Sequence, residues 1–162
     1  MKNFLKIVLV LAFISNTFTT VAQKKDVTKY KCMVQMTNYA GEGAYIVVSL
    51  IDPKGNYEKT LYVMGPDKKW YKDLKEWNKF QTKKPANISA ISGASISGGD
   101  RSVTIMEIEN SKINSDYSIR FESAVENQQY HVKDLEFALT TENLAGKNEG
   151  TGYIRYVRFN AN

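Results

Sequence analysis

The 162 residues carry 22 basic and 17 acidic side chains, a formal charge of +5, and only one cysteine and one histidine. That supply permits one domain with a buried core, but it excludes an internal disulfide framework and the usual zinc site of several His and Cys ligands. The lysines are interleaved with acids, as in Lys72-Asp73-Leu74-Lys75-Glu76, so they read as a solvated mixed-charge face and not as a nucleic-acid track.

The chain opens with Lys2 and Lys6 around the apolar run Ile7 to Ile14, and Thr20-Val21-Ala22 follows with the compact side chains a signal peptidase needs. A cleaved signal peptide over residues 1–22 is expected. The apolar run is too short to span a bilayer, which takes about 20 residues. Residues 23–162 are then expected as a single β-sandwich domain, exported to a periplasm or the medium and not membrane-spanning after cleavage. Without Lys2 and Lys6 the basic count is 22 − 2 = 20 against 17 acids, a formal charge of +3. The Tyr30-Lys31 pair before Cys32 is too bulky and polar for a lipoprotein acylation site, and Cys32 alternates with Tyr30, Val34 and Met36 as a buried strand residue does.

Nearly everywhere in the mature chain the apolar period is two, with β-branched and aromatic residues at the alternating positions, which gives a mostly β class. Strands are expected at Lys29 to Thr37, at Ala44 to Ile51, apolar on both faces and so central in its sheet, and at Tyr57 to Met64. Asp52-Pro53-Lys54-Gly55-Asn56 supplies the hairpin turn between the last two. The period then changes. Asp67 can cap a helix over Lys68 to Phe80 that sets Trp70, Leu74 and Trp77 on one stripe, a pattern that favours core packing of both tryptophans. Residues 89–100 are small and polar and read as a loop. Four more strands are expected at Val103 to Glu109, Tyr117 to Ser123, Tyr130 to Leu139 and Tyr153 to Phe159. The architecture that follows is an antiparallel two-sheet β-sandwich with one amphipathic helix.

Catalytic groups are sparse. His131 is the lone histidine and sits in a strand pattern, so a triad needs a nucleophile and an acid to converge on it. Glu107 and Glu109 share one face of a strand, with no second group to divide acid from base. Neither pattern marks an enzyme.

Thr60-Leu61-Tyr62-Val63-Met64-Gly65, Lys69 to Trp77, the Ser92-Gly93-Ala94-Ser95 loop and Tyr117 to Glu126, in that order, resemble the predicted periplasmic proteins grouped as domain-of-unknown-function family 2271. The resemblance covers about Tyr45 to beyond Glu126, and its most specific part is the succession of strand, helix and tryptophans. It implies a bacterial periplasmic setting beside PepSY-type membrane reductase components and a periplasmic flavin transferase. The loop is also similar to the acceptor site of that transferase, D-x-x-[ST]-G-A-[ST]. Its last four positions are met by Ser92, Gly93, Ala94 and Ser95, and the leading acid position is Ser89. The resemblance implies transfer of FMN from FAD to the Ser95 hydroxyl as a phosphoester. Phosphoryl transfer needs a reachable hydroxyl held in line, and Gly93 and Ala94 leave room beside it. The expectation is an exported accessory protein of flavin-linked electron transfer, with FMN carried on Ser95. The alternative is a ligand-binding sandwich that stacks a carbohydrate or other small molecule on Tyr39, Tyr45, Tyr71 or the tryptophans.

Overall fold

The computed structural model describes residues 26–161, so the expected signal peptide lies outside the described residues. Strands β1 (Val27–Met36), β5 (Arg101–Glu109), β8 (Lys147–Glu149) and β9 (Ile154–Ala161) form a four-stranded sheet in the order β5-β1-β9-β8. The second sheet has five strands, ordered β4-β3-β2-β6-β7, from β2 (Tyr45–Ile51), β3 (Tyr57–Met64), β4 (Ser92–Gly93), β6 (Ser118–Ala124) and β7 (Tyr130–Ala138). Every pairing is antiparallel except that of β4 on β3. The two-sheet sandwich read from the strand periods is therefore the fold.

Alternation builds the core between the sheets. Cys32, Val34 and Met36 of β1 and Met106 and Ile108 of β5 meet Ile46, Val48, Leu50 and Phe121 from the other sheet. Each such side chain contributes about 1.5–3 kcal/mol of burial. Burial also pushes the Cys32 thiol well above its ordinary range, so this cysteine is an inert core residue. β2 is central as expected, flanked by β3 and β6 and buried from Ile46 to Ile51. It is apolar on both faces because the second face is covered too: Val47 packs with Val63, Leu74 and Trp77 in a separate cluster.

The cover is not the continuous helix expected over Lys68 to Phe80. Asp67 does cap the start, accepting from the Lys69 N–H at 3.0 Å, but residues Lys68–Asp73 wind as a 3-10 helix and Leu74 leaves helical geometry at φ −85°, ψ 67°. An α-helix, α1, then runs Lys75–Lys83. A 3-10 turn advances side chains by a third of a circle per residue, against 100° in an α-helix, so the stripe drawn at α spacing breaks. Leu74 and Trp77 face the sheet, whereas Trp70 is left half-exposed. A short second helix, α2 (Thr141–Ala145), precedes β8.

Candidate functional site

Residues 89–100 are a strap tied along its length to the sandwich. Asn87 accepts from the Ser89 N–H at 3.0 Å and starts a 3-10 turn over Ser89–Ile91. β4 then pairs with the end of β3, Ser92 opposite Val63 and Gly93 opposite Met64, and the Gly65 N–H donates to the Gly93 carbonyl at 2.7 Å. Three residues later Ala44 and Ile96 exchange backbone hydrogen bonds of 2.7 and 3.1 Å, and the Ile96 side chain is buried. Tyr39 clamps the same point, donating to the Ile96 carbonyl at 2.5 Å and accepting from the Ala44 N–H at 2.8 Å. The loop expected here is thus fixed at both ends, with Ala94 and Ser95 between the fastenings.

Ala94 is exposed and Ser95 half-buried, and among the described residues the Ser95 hydroxyl has no hydrogen-bond partner. Ser92 is half-buried and its hydroxyl donates to the Ser89 carbonyl at 3.4 Å, a local contact within the turn. Gly43 faces Ser95 so closely that a Cβ there would lie 2.6 Å from the serine Oγ, so the glycine keeps the approach open. Gly93 acts similarly toward Tyr62, whose hydroxyl would lie 2.7 Å from an added Cβ.

Ser95 is shared by two recesses. The first, about 160 Å³, is lined by Tyr45 and Trp70 together with the carboxylates Glu42, Asp73 and Glu126. A neighbouring hollow of about 280 Å³ shares Trp70, Asp73 and Glu126 and continues to Tyr130. On the other flank of Ser95 a recess of about 250 Å³ holds Tyr62, Asp100 and Arg101. One side is aromatic and anionic, and the other sets a guanidinium and a carboxylate beside the Tyr62 ring. The remaining expected stacking residues are engaged elsewhere: Tyr71 is buried and donates to the Gly65 carbonyl at 3.1 Å, and Trp77 is fully buried with its indole N–H on Thr60 Oγ1 at 2.8 Å.

The family described as predicted periplasmic protein (DUF2271) matches residues 27–156. The chain belongs to that family. The match begins with β1 and reaches into β9, and so extends on both sides the resemblance read between Tyr45 and Glu126. No curated protein and no solved structure matches the chain. Membership in DUF2271 gives a periplasmic address, in agreement with the export signal, and supplies no reaction. Among the described residues no helix is long and apolar enough to cross a membrane.

Two buried carboxylates of this DUF2271 chain escaped sequence reading. Glu122 lies under α1, where it accepts from Tyr57 at 2.5 Å, from the Tyr130 hydroxyl and from the Trp77 N–H at 3.3 Å. Burial holds its carboxyl above the usual range, and the hydrogen bonds from Tyr130, Tyr57 and Trp77 offset that only in part. The guanidinium of Arg120 lies over the Tyr57 ring at 5.1 Å and pairs with Glu136. These contacts fasten α1 to the sheet.

Asp134 is the second. Its two oxygens accept from the N–H groups of Thr151, Gly152, Tyr153 and Ile154 at 3.2, 2.8, 2.9 and 3.0 Å, and from the Ser123 hydroxyl. His131 stands opposite Ser123 across the strand pair, so a serine, a histidine and an aspartate do converge. They do not form a catalytic triad. Ser123 and Asp134 are fully buried, the serine donates directly to the acid, and the imidazole packs edge-on against Tyr153 at 4.9 Å. The cluster anchors the turn into β9. Glu107 and Glu109 likewise meet lysines, Lys29 at 3.6 Å and Lys59 at 4.0 Å.

Proposed function

We propose that this periplasmic protein is a non-catalytic carrier in flavin-linked extracytoplasmic electron transfer, with FMN joined to Ser95. The observation that carries the reading is the Ser95 hydroxyl itself: unengaged, half-exposed, and held between two backbone fastenings where recesses open on either side. The local residues fit such a group. Gly43 leaves the space beside the oxygen, Trp70 and Tyr45 offer faces for a planar ring, and Arg101, beside Asp100 on the other flank, offers a guanidinium to a phosphoester. In the transfer a bond forms between Ser95 Oγ and the flavin-side phosphorus of FAD. The pyrophosphate P–O bond breaks, AMP leaves, and the hydroxyl proton goes to the transferase or to water. The bound group would supply one- and two-electron chemistry, while this chain positions it and shields one face. The partners the reading requires are a periplasmic flavin transferase and a membrane reductase component of the PepSY type. Coexpression with a flavin transferase should give a yellow protein heavier by one FMN less water, and Ser95→Ala should be colourless at the unmodified mass. A colourless wild-type protein in that experiment refutes the proposal.

Trp70 supports a second reading, since it is half-exposed beside Tyr45 and three carboxylates that could accept from sugar hydroxyls. A carbohydrate held there without covalent attachment would quench Trp70 fluorescence, and Trp70→Phe would abolish the response. An unchanged spectrum across a carbohydrate panel counts against this alternative.

A further inference from the structure

The open side of β5 carries an inference that does not involve Ser95, although it shares Arg101 with the flavin reading. Among the described residues β5 ends the four-stranded sheet, paired only with β1, and its outward residues are Arg101, Val103, Ile105 and Glu107. Val103 is 61% and Ile105 51% exposed, the two most exposed large apolar side chains among the described residues. Lys59 of β3 reaches Glu109 at the end of β5 at 4.0 Å, and beside Ile105 and Glu107 a recess of about 310 Å³ opens toward Leu61 and Ile91. Edge strands are normally blunted, and an unpaired apolar one is a template for another strand.

We propose that β5 pairs with β5 of a second copy, antiparallel about a two-fold axis through Thr104, to join two four-stranded sheets into one. Side chains of an antiparallel pair stay on matching faces only when the paired residue numbers sum to an even value, which leaves a few registers for a strand of this length. Centring on Thr104 sets Arg101 opposite Glu107 of the second copy and Val103 opposite its Ile105, twice over by symmetry. Centring on Ile105 sets Val103 against Glu107, and centring on Val103 sets Arg101 against Ile105. Only the first register matches charge with charge and apolar with apolar. Both charged ends are available from solvent: Arg101 is exposed and bonds Gln35 at 3.0 Å, and Glu107 is exposed with Lys29 at 3.6 Å.

The test is the molar mass of residues 23–162 by light scattering over a concentration series, with charge and cysteine variants. Wild type should show the mass of two chains as concentration rises, Glu107→Arg the mass of one, and the pair Arg101→Glu with Glu107→Arg the mass of two again. The pair Val103→Cys with Ile105→Cys should form a disulfide-linked dimer on oxidation, and Val103→Cys alone should not. Cys32 is buried and does not compete. A single-chain mass at every concentration, or a dimer that Glu107→Arg leaves intact, overturns the proposal.

Discussion

Asp134 and Ser95 lie at two places where a loop is fastened to a sheet, and the two differ in what remains unengaged. Around Asp134 the polar groups converge: four backbone donors and the Ser123 hydroxyl meet on one fully buried carboxylate. Around Ser95 the fastening is made by backbone hydrogen bonds through Gly93 and Ile96 and by the Tyr39 hydroxyl, none of which engages the serine, so its side-chain hydroxyl stays free beside half-exposed Trp70. A buried polar group without partners is costly, so the first arrangement has to be complete to exist at all. The second can leave a hydroxyl over because water reaches it. Convergence of serine, histidine and acid is therefore weak evidence of chemistry here, and a lone serine on a fixed strap is the stronger lead.

The contrast can be broken at its buried side first. Asp134→Ala leaves its backbone donors without an acceptor and should cost about 5 kcal/mol in urea unfolding. A cost under about 1 kcal/mol would mean that the turn is held by something else. Trp77→Ala should cost about 4 kcal/mol by leaving a cavity under α1, whereas Trp70→Ala should cost under about 1 kcal/mol. Equal losses at the two tryptophans would contradict the broken stripe.

Glu122 sharpens the comparison through pH. Its folded carboxyl is held above the ordinary range by burial, so its contribution to stability is present below that range and is lost as pH rises through the folded value. The stability of wild type relative to Glu122→Gln should therefore fall between about pH 4 and pH 7. Parallel unfolding curves for the two proteins at both pH values would remove that account. The smallest effect is expected at the strap, where Ser95→Ala should change stability by less than about 0.5 kcal/mol.

Sequence periods carried most of this architecture because strands that bury one face write that face into every second residue. β2, apolar on both faces, even announced its central place. The errors fall where geometry leaves no side-chain period. Trp70 was drawn into the core by α spacing, and nothing in Lys68 to Asp73 distinguishes a 3-10 winding. β4 is joined to β3 by backbone groups whose partners leave no mark on composition. β8, Lys147–Glu149, is three polar residues held against β9. Nothing in the sequence marks Glu122 and Asp134 as buried acceptors, because most of their donors come from distant segments. At the candidate site the residue type at Ser95 was legible, whereas the freedom of its hydroxyl and the flanking recesses depend on Gly43, Tyr45 and Trp70, which only folding brings to it.

The decisive measurement is residue-resolved peptide mass mapping of the protein purified from its own host. The account predicts an FMN phosphoester on the peptide containing Ser95, located at that hydroxyl. An unmodified Ser95, or a flavin attached at any other residue, would contradict it.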